Sequence, residues 1–448
     1  MASSRSSRSQ AKRKKQANRS NPLHTEQLLG EDSSVWRSVL PSGIRVITET
    51  MPSLASETVG VWVGSGSRHE ADVAAGSTHF LEHMLFKGTA TRSALDIARG
   101  LERTGGDSNA VTSKEYTCYF SRCLVDDLPP VTDLLWDMVL HATLDAGEFE
   151  RERGVIVEEL AMAADDPTDV LYEKFDTLVY PGHPLGRPVG ATKEQIRTLA
   201  HTVLREHYET AYIGPRLVFT AAGGATHEQI VELVTKATAH LPQAAPEVVR
   251  PSRVAPEFAS GTACIGKDTE QQGIIIGMPG LSEGDERRFA FSVMFSLLGG
   301  GMSSRLFQSV REDRGLAYSV HGIASRYSDS GQFGMYAGCA PQAAQDVIDL
   351  CVAEFERLAS DLPAEEEVAD IVAQAAGSMM LSLESSAVRM NRLARSELAS
   401  LPLESPQNLL DTVRKVTPAE VSAVAADLAA GPRALVTLGP REDLRLPH

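Results

Sequence analysis

The segment from Gly76 to Thr89 reads Gly-Ser-Thr-His-Phe-Leu-Glu-His-Met-Leu-Phe-Lys-Gly-Thr and gathers His79, Glu82 and His83 within a single run. On an α-helix, residues four apart share a face, so His79 and His83 can aim their imidazoles at one ion. Two neutral imidazoles suit zinc. Glu82 falls at the edge of the same face, close enough to hold a water on the metal without ligating it. A carboxylate so placed can take that water's proton as general base. The H-x-x-E-H order inverts the commoner zinc-binding H-E-x-x-H. The competing reading is a helix with two partly exposed histidines and a surface ion pair.

A zinc site that keeps a water needs a third protein ligand, and this segment does not supply it. The run Phe149–Ala164 reads as a helix carrying two neighbouring acids, Glu158 and Glu159. Glu158 shares its face with Arg151, Gly154 and Asp165, a solvated side. Glu159 shares its face with Val155, Ile156 and Met162, where an unpaired carboxylate is costly. Glu152 lies two turns earlier on that stripe. A cation is the simplest reason for two acids there, which makes Glu159 the expected third ligand and Glu152 an acid orienting a ligand or the water. The alternative is a glutamate at the core edge paired with Arg151 or Arg153.

These side chains have to be positioned by a larger frame. Strands are expected at Gly43–Thr48 and Thr58–Gly64, then a helix over Thr78–Phe86 capped by Ser77 or Thr78. A helix at Ala94–Thr104, a strand at Tyr116–Val125 and an amphipathic helix at Leu128–Thr143 follow. Pro242, Pro246, Pro251 and Pro256 then punctuate a stretch without period, the composition of a linker. Beyond it the order repeats loosely. A strand at Gly273–Gly277 leads to a helix at Glu286–Leu298, a strand region at Tyr318–Cys339 and long helices at Gln342–Leu358 and Ala364–Leu383. The pattern is a duplicated unit of about 200 residues, each copy a sheet covered by helices, which is α+β architecture. The second copy has no counterpart of HFLEH. The expected division is a disordered basic tail over 1–32, a metal-binding domain over 33–241, a linker over 242–261 and a second domain over 262–448.

With 448 residues, 42% hydrophobic and 23% charged, the chain has the composition of a folded protein of several domains. No apolar run reaches the length of about 20 residues that crosses a bilayer, so no membrane partner is expected. The net charge of −16 argues against a general nucleic-acid binder and favours cationic partners. The start of the chain breaks this trend with Lys12-Arg13-Lys14-Lys15 and no acid before Glu26. Lacking an apolar face, it reads as a disordered tail rather than a targeting helix. The five cysteines are odd in number and scattered, implying no disulfide framework and a reducing, cytoplasmic setting. The mitochondrial matrix is the alternative should the tail be a presequence.

With these residues in view, the chain resembles the pitrilysin or insulinase-type zinc metallopeptidases, the inverzincins, and within them the mitochondrial processing peptidase branch. The motifs carrying the resemblance are HFLEHMLFKGT from His79, GGDSNAVTSKEYTCY from Gly105, ERERGVIVEEL from Glu150, HPLGRPVG from His183 and LGGGMSSRLFQSVREDRGLAYSV from Leu298. Glu159 stands 76 positions after His83, the separation that branch uses for its glutamate ligand, which selects it over Glu158. The resemblance implies one zinc per chain, held by His79, His83 and Glu159, with Glu82 as base and Glu152 beside the ligands. It implies two homologous α+β domains, each with a mixed sheet, closing like a clamshell around a chamber. Peptide substrate would add as a strand beside Asn109, Ala110, Val111 and Thr112. Arg311 and Tyr318 match a pair that the family brings from the second domain to polarise the scissile carbonyl.

The function expected is a zinc endopeptidase acting on extended, basic, presequence-like peptides. Two alternatives come from the same family: a structural subunit without catalysis, and a catalytic subunit needing a separate partner chain. Because the zinc motif, the Arg/Tyr pair and the glycine-rich stretch share one chain, a self-sufficient homodimer is favoured. That glycine-rich stretch, Leu297–Phe307, lacks the Gly-Lys-Ser/Thr ending of a phosphate loop and reads as a helix interruption allowing close approach.

Overall fold

The computed structural model describes residues 24–29, 34–244 and 255–447. Most of the basic tail and the middle of the expected linker lie outside the described residues. The described residues form two compact units, which are not the contiguous halves of the chain. The first takes residues up to Val157, those within Val189–Ser252, and Leu383–Leu403. The second takes Glu158–Pro188, residues within Arg253–Ser382, and those from Glu404 on.

The first unit is built on a seven-stranded sheet. Its strands are β1 (His24–Leu28), β2 (Val35–Val39), β3 (Arg45–Thr50), β4 (Ser56–Val63), β5 (Ser108–Thr112), β6 (Thr117–Leu124) and β7 (Leu217–Gly223). They lie in the order β1-β2-β3-β7-β4-β6-β5, with β3 and β7 parallel and the other neighbours antiparallel. Both faces of the central strands are buried, so β4 and β7 read as apolar runs rather than alternations. On one face Phe219 stacks on Trp136 of the helix Leu128–His141, with 5.9 Å between ring centroids. On the other, Trp62, Val218 and Ala222 pack with Met390, Leu393 and Ala394 of the helix Ser386–Ala399.

Residues 24–28 correct the expected limits of the tail: they form the edge strand β1, paired antiparallel with β2. The segment is polar, His-Thr-Glu-Gln-Leu, and so lacks an obvious strand signature. An exposed edge accepts such residues, and cross-strand pairs hold it. Thr25 and Ser38 hydroxyls lie 2.8 Å apart, and Arg37 reaches Glu26 at 3.2 Å.

The second unit carries a five-stranded sheet of β8 (Gly261–Gly266), β9 (Gln272–Pro279), β10 (Ala317–Arg326), β11 (Gly331–Cys339) and β12 (Ala434–Gly439), ordered β10-β11-β9-β12-β8. Here β8 and β12 are parallel. Once the β1–β2 hairpin is set aside, the two sheets thread identically. In each, the first strand lies parallel to the last, followed by the second, the fourth, and the third at the edge. The duplication read from the sequence is therefore a duplication of topology in an α+β protein. The helices Arg288–Gly299, Ala344–Ser360 and Pro418–Ala429 supply one core of this unit, and the helix Pro167–Val179 packs Leu171, Phe175 and Val179 against Ile275, Val436 and Leu438 in another. The glycine-rich stretch begins where the first of these helices ends. A Cβ at Gly299 would lie 2.4 Å from the backbone nitrogen of Gly322 on β10, so close approach of backbones is what that glycine provides.

Candidate metal centre

The HFLEH segment is helical over Ser77–Leu85. Phe80, Leu81, Met84 and Leu85 are buried, which leaves His79, Glu82 and His83 on a partly exposed side. The helix does not begin with a Ser or Thr cap, because Ser77 and Thr78 lie inside it. Its N-cap is Gly76, with φ of 85°, in the left-handed region. A Cβ there would also lie 2.6 Å from Ile196 Cδ1 and 2.9 Å from Ala191 Cβ, so both backbone and packing demand glycine. The carboxylate of Glu70, itself buried, accepts hydrogen bonds from the amides of Gly76 (2.8 Å) and Thr78 (2.7 Å). An acid at this end also complements the helix dipole. The Ser77 hydroxyl lies 2.5 Å from His207 Nδ1, and burial together with the nearby Arg216 charge pushes His207 down to about 4, keeping it neutral.

The helix Ala146–Asp165 meets this one through Phe149, which stacks on Phe80 with centroids 4.5 Å apart. Arg153 lies over the Phe149 ring at 4.6 Å and donates to the carbonyls of Ile196 and Leu199, pinning the helix to the end of the short helix Lys193–Thr198. The division between units falls after Val157, yet the helix runs unbroken through it, so the buried Phe149, Glu152 and Ile156 fix where Glu159 emerges. Ligand atoms of His79, His83 and Glu159 all lie within 4.8 Å of one another. The two imidazoles meet nearly edge-on, with centroids 4.8 Å apart and planes at 80°. Tetrahedral zinc holds its donors about 3.4 Å apart, so this two-nitrogen, one-oxygen set fits the ion after side-chain adjustments of about an ångström.

One expectation about this helix is corrected. Its supposed apolar stripe is not buried: Val155 is 51% and Met162 74% exposed, and Glu159 is exposed with them. Of the apolar residues that share its face, Ile156 alone reaches the core. Burial cost therefore does not argue for a cation at Glu159; convergence with two imidazoles does. Arg151 pairs with Glu148 and Arg153 with Glu150, so the alternative in which Glu159 serves as their partner is not what the helix adopts.

Glu152 is 5% exposed, with one carboxylate oxygen 3.2 Å from His83 Nδ1 and the other 2.7 Å from Lys87 Nζ. A proton on Nδ1 directed at this carboxylate leaves the lone pair of Nε2 for a metal. Glu82 is held from another element: the Thr112 hydroxyl on β5 donates to its Oε2. Asn109, Ala110 and Val111 lie on the same strand, which ends the sheet, and Asn109 Oδ1 accepts from the Ala110 amide at 2.9 Å. Arg311 and Tyr318 belong to the second unit. Arg311 sits in a π-helical turn, Phe307–Glu312, its guanidinium 4.6 Å from the centroid of the Tyr318 ring and bonded at 3.0 Å to the Tyr318 carbonyl oxygen. Tyr318 is 75% exposed. Sequence reasoning missed Glu70, His207 and Lys87. Only Lys87 left a signal, by standing four residues after His83.

Residues 45–193 match the family described as insulinase, peptidase family M16, and residues 198–375 match that described as the peptidase M16 inactive domain. An uncharacterized zinc protease of Streptomyces coelicolor is 42% identical over 415 residues, covering 92% of this chain and 90% of its own length. An uncharacterized zinc protease of Bacillus subtilis is 35% identical over 406 residues, covering 91% and 98%. Among solved structures, a protease from Helicobacter pylori superposes with a TM-score of 0.85 at 22% identity, covering 91% of this chain and 100% of its own. A peptidase M16 inactive domain from Pseudomonas fluorescens gives 0.82 at 20%, covering 95% and 99%. These two likenesses speak for the fold, and the nearer sequence relatives speak for descent. The chain belongs to family M16, the insulinase- or pitrilysin-type peptidases.

Proposed function

We propose that this protein is a zinc-dependent metalloendopeptidase that hydrolyses extended peptides, with one zinc per chain held by His79, His83 and Glu159. The observation that carries this reading is the convergence of those three donors within 4.8 Å on two helices stacked through Phe80 and Phe149. The naming of its relatives as zinc proteases agrees with it. Bound zinc would supply Lewis acidity, which brings a coordinated water's pKa down to about 7. Glu82 stands next to the ligand helix face and takes the proton from the attacking water, then returns it to the leaving amine. Glu152 holds His83 in the ligating tautomer, and Lys87 anchors Glu152. The free edge of β5 accepts the substrate backbone as an added strand, a mode that tolerates varied sequences. Arg311 and Tyr318 are assigned as donors to the scissile carbonyl. Basic peptides and a self-sufficient homodimer complete the proposal.

Metal analysis of the purified protein, coupled to cleavage of a basic peptide with and without chelator, tests this reading. Stoichiometric zinc and chelator-sensitive cleavage are expected. Zinc-free protein without such cleavage would favour a structural member of the family. Glu82→Gln is expected to keep its zinc and lose cleavage by about 100-fold or more. Near-normal turnover in that variant would remove Glu82 as the base.

A further inference from the structure

The hydroxyl of Thr112 donates to Glu82 Oε2, and that contact joins two parts of the first unit that the sequence keeps 30 positions apart. Glu82 is on the helix that carries His79 and His83; Thr112 is the last residue of β5, the strand at the sheet edge. Its backbone register is fixed separately, since Thr112 pairs with Thr117 across β5 and β6. Thr117 in turn is fully buried and donates through its hydroxyl to the Ser65 carbonyl at 3.2 Å. The hydroxyl of Thr112 is therefore a fixed donor on a braced strand, and it occupies one of the two oxygens of Glu82.

We infer that Thr112 is a positioning residue for Glu82, tying the strand that receives peptide to the carboxylate that moves the proton. A carboxylate with both oxygens unrestrained rotates about its terminal bond, whose torsional preference is broad. With Oε2 held by Thr112, Oε1 is left to face the reacting water. A shift of strand β5 would move the base with it, so peptide seated on that edge and the proton acceptor keep a common register. The side chain of Thr112 therefore acts on the chemical step through Glu82, while its backbone remains part of the strand that seats the peptide. The inference rests on the metallopeptidase reading above.

The test compares Thr112→Val, which keeps the β-branched shape, with Thr112→Ser, which restores the hydroxyl. Zinc content, zinc affinity by chelator competition, the dissociation constant of a basic peptide, and separate kcat and KM are measured for each. In Thr112→Val, kcat is expected to fall about 10- to 100-fold, the scale at which a misplaced group costs rate. KM, peptide affinity and zinc affinity should stay within about twofold, and Thr112→Ser should recover most of kcat. Combined with Glu82→Gln, Thr112→Val should add no further loss. Unchanged kcat in Thr112→Val overturns the inference, as does a change confined to KM and peptide affinity, which would make Thr112 a substrate contact. Loss of zinc in Thr112→Val also overturns it, by showing a structural effect on the ligands. A wild type that binds no zinc and cleaves nothing overturns the metallopeptidase reading itself, and this inference falls with it.

Discussion

Glu57 is a buried carboxyl outside the candidate metal centre. It lies on β4, is 1% exposed, and accepts from the Ala225 amide at 2.8 Å. Burial pushes it from its ordinary 4.5 up to about 7, against the smaller downward pull of that hydrogen bond. In the unfolded chain the same group titrates at its ordinary value. Between those two pH values the folded protein therefore holds a proton that the unfolded chain releases. Its contribution to stability is full below the unfolded value and lost as pH rises through about 7. Glu57→Gln keeps an acceptor and removes the titration. Its thermal midpoint is expected to gain on wild type as pH is raised from about 5 to about 8, and two parallel profiles would refute this. Glu152, also buried on the first unit, has a lysine and an imidazole as partners where Glu57 has one amide.

Among the elements, the placement of His79, Glu82 and His83 depends on how one short helix is started. HFLEH announces itself in the sequence, and so does the helix it occupies. The device that launches the helix does not, because Glu70 lies in a different local element and the left-handed turn at Gly76 looks like any glycine. Gly76→Ala is expected to destabilise the protein by about 1–3 kcal/mol, since it adds both a strained φ and a contact with Ile196. Gly105→Ala is a suitable control: Gly105 also has positive φ, of 66°, but nothing lies within 4 Å of an added Cβ. Chemical denaturation of the two variants should show the larger loss at Gly76, accompanied there by weaker zinc binding. Equal losses would mean that backbone conformation alone matters and that the packing against Ile196 does not. The opposite lesson holds for the helix Ala146–Asp165. Its face pattern pointed to a buried stripe, but periodicity reports which residues share a side and not whether anything covers that side.

At the scale of the whole molecule, the chain's two copies do not keep to themselves. Leu383–Leu403 packs into the first unit, although it follows most of the second unit in sequence. Its helix seats Met390, Leu393 and Ala394 in an apolar cluster and adds charges around them. Glu49 of β3 is buried and bonds Arg389, with Arg392 at 3.2 Å; Glu397 meets Arg37 at 2.9 Å and Arg45 at 3.3 Å. Removing the carboxylate shared by Arg389 and Arg392 in Glu49→Ala should cost about 2 kcal/mol, below the full value for a buried pair because both arginines are partly solvated. Limited proteolysis is expected to cut within 383–403 sooner than in wild type. An unchanged cleavage pattern and thermal midpoint would show that the apolar cluster alone retains the segment.

Local and periodic features were legible in the amino-acid sequence. Two imidazoles four apart, a carboxylate between them, a glutamate at a family spacing, a duplicated order of strands and helices, and the mixed α+β class could all be read from residue types and intervals. Such features depend on neighbours a few positions away or on a pattern shared with relatives. Features that require two distant segments to meet came only with the folded backbone. The Thr112 hydroxyl on Glu82, the Lys87 and Glu152 pair behind His83, the acid clamp on the start of the helix Ser77–Leu85, and the edge strand made from a polar tail segment are all of this kind. So is the exchange of segments between the two units. The physical reason is that a side-chain contact depends on where the backbone carries both partners, which chain spacing does not record.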